Sequence, residues 1–180
     1  YYDGEPEQGL PLGHVARRGL VVRAETWTDG ENWLLSLRQT HDIHGNVTRI
    51  RDAEGGTLER DYDDAGLFPV EERLLADDGA LVTRATWDRR HGHPLTVTAP
   101  SGATTQAIYD GLGRLVAEVR PGDTAIRPTV RHRYFVDGST ERPAIVTERR
   151  RISCEDDVEL EVTQLDGLGR LQARVTSDDP

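Results

Sequence analysis

Along this 180-residue chain, apolar and polar positions alternate in short runs and nowhere recur at helical spacing over a long stretch. Val47-Thr48-Arg49-Ile50-Arg51, Leu95-Thr96-Val97-Thr98, Ala144-Ile145-Val146-Thr147-Glu148, Val158-Glu159-Leu160-Glu161-Val162 and Leu171-Gln172-Ala173-Arg174-Val175 follow a period of two. Rich in β-branched residues, they predict strands with one face buried. Leu20–Trp27 and Trp33–Leu37 predict a further strand pair around Asp29-Gly30. Tyr1-Tyr2-Asp3-Gly4 and Gly9-Leu10-Pro11-Leu12-Gly13 predict turn-rich coil.

The strand-like runs are punctuated by a repeat. Tyr109-Asp110-Gly111-Leu112-Gly113-Arg114-Leu115 returns as Leu165-Asp166-Gly167-Leu168-Gly169-Arg170-Leu171. Weaker copies start at His41-Asp42, Tyr62-Asp63 and Trp87-Asp88, and an irregular one is Tyr134-Phe135-Val136-Asp137-Gly138. The Asp positions step by 21 (42 to 63), 25 (63 to 88), 22 (88 to 110), 27 (110 to 137) and 29 (137 to 166). Gly follows three residues after Asp at Gly45, Gly66, Gly113 and Gly169, and one later at Gly92, an apparent insertion. The spacing has a mechanism: the Asp carboxylate accepts from backbone N–H groups of the turn, and the Gly supplies positive φ. Strand, Asp-x-x-Gly, strand therefore predicts a hairpin. Second turns at Glu54-Gly55-Gly56, Asp77-Asp78-Gly79, Pro100-Ser101-Gly102 and Pro121-Gly122-Asp123 make each repeat two strands and two turns. Repeats of this length stack units that bury their faces on neighbours. The organisation expected is a lead-in strand pair over residues 1–39, then a hairpin array over 40–180, with no linker between them.

Composition narrows the function. The hydrophobic share is 36% and the charged share 30%, which suits thin antiparallel sheets with one wet face. A net charge of −10 argues against general nucleic-acid binding, which needs basic surface. No run approaches the length of a membrane-spanning helix. The absence of Met is read as the mark of an excerpt, a processed piece or an expression product. All basic residues are Arg, and the single Cys154 rules out an internal disulfide.

Candidate chemistry is sparse. His41-x-x-His44 and His91-x-His93 lie in turns and lack further ligands at structural zinc spacing. Asp61-Tyr62-Asp63-Asp64 lacks a calcium-loop pattern. Gly111-Leu112-Gly113 has Val116 where a dinucleotide fingerprint needs Gly. Cys154 is expected to be a small buried or edge thiol. Arg149-Arg150-Arg151 is expected to be neutralised by Glu155-Asp156-Asp157 across a turn. Tyr62, Trp87, Tyr109 and Tyr134 are expected to pack across strands and not to stack on sugars. No catalytic, metal or cofactor-binding residue is nominated, and an enzyme is not expected. The positions singled out are structural anchors of the repeat: Asp42, Gly45, Tyr62, Asp63, Gly66, Trp87, Asp88, Gly92, Tyr109, Asp110, Gly113, Arg114, Asp166, Gly169 and Arg170.

The Tyr-Asp-x-x-Gly-Arg-Leu pattern at Tyr109–Leu115 resembles the YD repeat of Rhs proteins and bacterial toxin-complex proteins. Gly66-Leu67-Phe68-Pro69-Val70 and Gly92-His93-Pro94-Leu95 are similar to repeats in the B component of insecticidal toxin complexes, as is the opening Tyr1–Gly13 segment. The resemblance implies an all-β fold of tandem antiparallel β-hairpin (YD) repeats forming part of a spiral, shell-like sheet. It implies a secreted or cell-surface structural segment that encloses a C-terminal toxic polypeptide, with the rest of its shell and other toxin-complex components as partners. The self-cleaving aspartyl protease motif of that family is not visible before the chain ends at Asp179-Pro180. The alternative is an adhesive or carbohydrate-binding module of a cell-surface protein, similar to teneurin-like arrays.

Overall fold

The computed structural model describes residues 1–136, 138 and 142–177, and everything below concerns these residues. Asp137 of the irregular repeat and the terminal Asp179-Pro180 lie outside them. All regular structure is strand. Two compact units follow one another, residues 1–85 and 86–180.

In the first unit, β1 (Arg23–Asp29), β2 (Asn32–His41), β3 (Val47–Asp52), β4 (Thr57–Tyr62), β5 (Pro69–Ala76) and β6 (Gly79–Asp88) form an antiparallel meander in chain order. The last residues of β6 belong to the second unit. There β7 (His93–Thr98), β8 (Thr104–Tyr109), β9 (Leu115–Val119), β10 (Val130–Phe135), β11 (Ala144–Arg150), β12 (Val158–Leu165) and β13 (Leu171–Ser177) pair in the same way. The alternating sequence produces this arrangement directly, because a period of two sends successive side chains to opposite faces.

Register sorts the first unit's faces by chemistry. On one face Arg49 opposes Glu59 and Glu59 opposes Arg73, while Asp61 opposes Glu71 and Glu71 opposes Arg84. Arg73 is the hub, 2.6 Å from both Asp61 and Glu71 and 3.4 Å from Glu59, with Arg49 on Glu59 at 2.5 Å and Arg84 on Glu71 at 2.7 Å. The other face carries the row Ile50, Leu58, Leu74 and Leu81.

The core is thin. Among the described residues the buried apolar side chains are Val22, Ala117, Val119 and Val130, Thr147 is the buried polar one, and no large side chain is fully enclosed. The accessible surface is 12189 Å². Compact folding of a chain this long would leave roughly 8,700 Å², and two separate half-size domains about 10,500 Å². Cross-strand hydrogen bonds and side-chain pairs therefore carry a larger share of stability here than enclosure does.

Candidate functional site: a ladder of repeat turns

Because consecutive strands pair antiparallel, the Asp-x-x-Gly turns within each unit fall at the same end of the strands. Those at Asp42, Asp110 and Asp166 share one geometry. The Asp N–H donates to the carbonyl four residues on, at 3.0 Å (Asn46), 2.9 Å (Arg114) and 2.8 Å (Arg170). The Gly N–H returns to the Asp carbonyl at 3.1 Å (Gly45), 3.0 Å (Gly113) and 2.9 Å (Gly169). This is a three-residue hairpin loop whose left-handed Gly makes a bulge. At Asp63 the closing bond moves one residue on, to Phe68 O, and at Asp88 the N–H of Gly92 makes the return bond at 2.8 Å. The displaced glycine of the Asp88 repeat is thus absorbed inside its turn.

The Asp side chains complete the loops. Asp110 Oδ1 accepts from Leu112 N at 2.9 Å and Arg114 N at 3.0 Å, and its Oδ2 accepts from Arg114 Nε at 2.7 Å. Asp166 accepts from Leu168 N at 2.9 Å, Arg170 N at 2.8 Å and Arg170 Nε at 2.7 Å. At Asp42 the partners are His44 N at 2.8 Å, Asn46 N at 2.9 Å and Asn46 Nδ2 at 2.9 Å, so Asn46 stands where the stronger repeats have Arg. Asp63 accepts from Leu67 N at 2.8 Å, and Asp88 from Arg90 N at 2.9 Å and from the His91 Nδ1–H at 2.7 Å. The Arg114 and Arg170 backbone N–H groups hold Asp110 and Asp166 below the usual carboxylate range, and the His91 ring does so for Asp88. Carboxylates so engaged are poor proton carriers near neutral pH.

Three tyrosines tie their hairpins at the base. The Tyr62 hydroxyl donates to Val47 O at 3.2 Å, Tyr109 to Pro94 O at 3.1 Å and Tyr134 to Leu115 O at 2.8 Å, in each case at the start of the preceding strand. Burial pushes the Tyr109 and Tyr134 hydroxyls up. The Tyr109 ring stacks on His93 at 4.8 Å between centroids. Trp87 is half-buried at the end of β6.

Successive turns also touch. A Cβ on Gly66 would fall 2.6 Å from the His44 ring, and one on Gly113 would fall 2.8 Å from the His91 ring. Asn46 Nδ2 donates to Gly66 O at 2.7 Å. The Arg114 guanidinium, while closing its own turn, lies 4.5 Å over the Tyr134 ring of the next repeat, a cation–π contact. Its side chain is 35% exposed, against 74% for Arg170. Sequence spacing locates the turns but does not reveal that the Asp63 turn leans on the Asp42 turn and the Asp110 turn on the Asp88 turn.

Four of these five turns carry an exposed apolar residue at the tip, and the Asp88 turn carries Arg89 and Arg90 instead. Ile43 is 85% exposed, Leu67 63%, Leu112 75% and Leu168 79%. Turns at the other strand ends, such as Asp29–Asn32, Asp77-Asp78 and Pro100-Ser101-Gly102, are polar or acidic.

Among the described residues no group of three or more His, Cys, Asp and Glu side chains is placed to hold a metal ion. Cys154 departs from the expectation of a buried or edge thiol. It is exposed, in the loop between β11 and β12, with φ +65°, because Asp123 Oδ1 takes its backbone N–H at 3.0 Å and Gly122 O takes its thiol at 2.6 Å. Arg150 lies 3.9 Å from both Asp123 and Asp156, and Arg151 lies 4.0 Å from Asp157.

These features define a tandem β-hairpin repeat protein whose motif residues close turns and couple one repeat to the next. Residues 87–125 match the RHS Repeat family model, so this stretch of the array carries an RHS repeat. No curated protein matches the chain by sequence. Among solved structures 33 chains match. One, titled "Crystal Structure of TcdB2-TccC3", aligns over 83% of this chain with a TM-score of 0.63 and 16% identity, and the aligned part spans 9% of that chain. The all-β fold is therefore shared with part of that chain, and this chain spans only a small fraction of its length.

Proposed function

We propose that this chain is a non-catalytic wall segment of a YD-repeat toxin shell, whose hairpins help to enclose a C-terminal toxic polypeptide for delivery. On this reading the protein is secreted or displayed at the cell surface, and its partners are the rest of its shell, other toxin-complex components and the enclosed polypeptide. The observation that carries the proposal is the exposed apolar tips, Ile43 and Leu67 in the first unit and Leu112 and Leu168 in the second, on turns whose Asp carboxylates are engaged internally. Such tips gain by burial against more protein and offer little to a polar substrate. The RHS Repeat match and the fold shared with TcdB2-TccC3 support it.

Limited proteolysis of the natural full-length protein tests the proposal. The C-terminal polypeptide should resist cleavage until denaturant opens the wall, and Leu112→Asp with Leu168→Asp should expose it earlier. A C-terminal polypeptide cut as fast in the intact protein as in isolation would refute enclosure.

A second reading, an adhesive or carbohydrate-binding module, draws on Trp27 and Trp33. They oppose each other across β1 and β2 and are 55% and 59% exposed, as platforms for sugar rings are. Glycan binding abolished by Trp33→Ala would favour it.

A further inference from the structure

The first unit contains a cavity of about 620 Å³ between the segment before β1 and the far end of β2, within the size range of small-molecule sites. Its wall divides by chemistry. Leu10, Leu20 and the buried Val22 give an apolar side, and Arg17 and Arg18 give a basic one. The two acids that line it are already engaged. Asp3 accepts from the backbone N–H groups of Arg17 at 2.6 Å, Arg18 at 2.7 Å, Gly19 at 3.3 Å and Leu20 at 2.9 Å. Asp42 is consumed by its own turn. Arg18 donates to Ile43 O at 3.0 Å. The Arg17 guanidinium has no ion pair or hydrogen bond among the described residues. An uncommitted cation is notable in a chain of net charge −10, where most arginines are paired with carboxylates.

We infer that this cavity binds a small organic anion with an aliphatic body, its carboxylate on Arg17 and its chain on Leu10, Leu20 and Val22. Arg17 makes the charge-assisted contact, since guanidinium and carboxylate geometries match. Asp3 acts at one remove: by gathering four backbone N–H groups it fixes the loop that presents Arg17. The site is independent of the wall function.

Octanoate is the probe, with octylammonium and butyrate as controls for charge and chain length. Calorimetric titration of the folded protein should show one saturable octanoate site, weaker binding of butyrate and none of octylammonium. Amide resonance shifts should map to residues 3–42. Arg17→Ala should weaken octanoate about tenfold, the worth of a hydrogen bond to a charged group, and Arg17→Lys should restore part of it. The Arg17 side chain has no partner among the described residues, so circular dichroism of the variants should match the parent. Lack of saturation at millimolar octanoate, equal binding of octylammonium, an unchanged Arg17→Ala titration, or shifts mapping elsewhere would each overturn the assignment.

Discussion

Gly113 and Gly169 occupy the same place in the repeat and differ in what stands beside them. Both are left-handed, with φ +77° and +80°. A Cβ on Gly113 would lie 2.8 Å from His91 Cδ2, whereas one on Gly169 would meet nothing within 4 Å. Gly169→Ala therefore carries the conformational cost of an L-residue in this region, about 1 kcal/mol. Gly113→Ala carries that cost and overpacking against a ring that Asp88 holds in place, about 1–3 kcal/mol more. His91→Ala removes the ring, so the double mutant His91→Ala/Gly113→Ala should lose the second contribution. The mutant cycle should then return a coupling of about 1–3 kcal/mol. Urea unfolding followed by circular dichroism measures the global loss, and hydrogen exchange at the Arg114 and Arg170 amides reports each turn separately. Equal losses at positions 113 and 169, or a coupling near zero, would show that the turns do not bear on one another.

Acid should release the Asp3 loop late. The backbone N–H groups of Arg18 and Leu20 pull Asp3 down to about 2 from 3.8. Its folded value lies below its unfolded one, so its contribution is complete above about pH 4 and fades as pH falls through the folded value. Carboxyl titration by NMR should give that depressed midpoint, with Leu20 amide protection lost in parallel; a midpoint at 3.8 would refute the clamp. Removing the hub of the ionic face by Arg73→Met leaves Asp61 beside Glu59 and Glu71 with only Arg49 and Arg84 to offset the three carboxylates, and should lower stability at low salt. Added salt should shrink that penalty by screening the carboxylates, and urea midpoints with and without 0.5 M NaCl (on the order of a 4 Å Debye length) check the sign.

The turns were legible because their determinants are local. Asp110, Gly113 and Arg114 lie within five residues, and even the odd spacing of Gly92 pointed to its enlarged loop. The alternating runs likewise located β3, β7, β11, β12 and β13. What escaped depends on contacts far apart in the chain. No pattern in Arg49, Glu59, Arg73 and Arg84 announces an ionic face until register aligns them. Nothing beside Asp3 shows that its carboxylate gathers Arg17 to Leu20, and nothing beside Cys154 shows that Gly122 and Asp123 hold it in an exposed loop. The apolar tips were visible as letters, as in Asp110-Gly111-Leu112-Gly113, but their exposure was not, because Leu112 in a turn reads equally as core or as edge.

Strand pairing in each unit joins sequence neighbours, and this bears on how such an array is made. Each new hairpin needs only the one before it as a template, so its contacts are short-range and form quickly for a β protein. A nascent chain can add hairpins as they leave the ribosome, without waiting for a distant partner. The same order run backwards is a route of disassembly. Pulled from one end, the array should come apart one hairpin at a time, with Tyr134 lifting from Arg114 and the Asp110 turn peeling from His91 in succession. Its resistance to force would then be set by the weakest single repeat and not by the number of repeats.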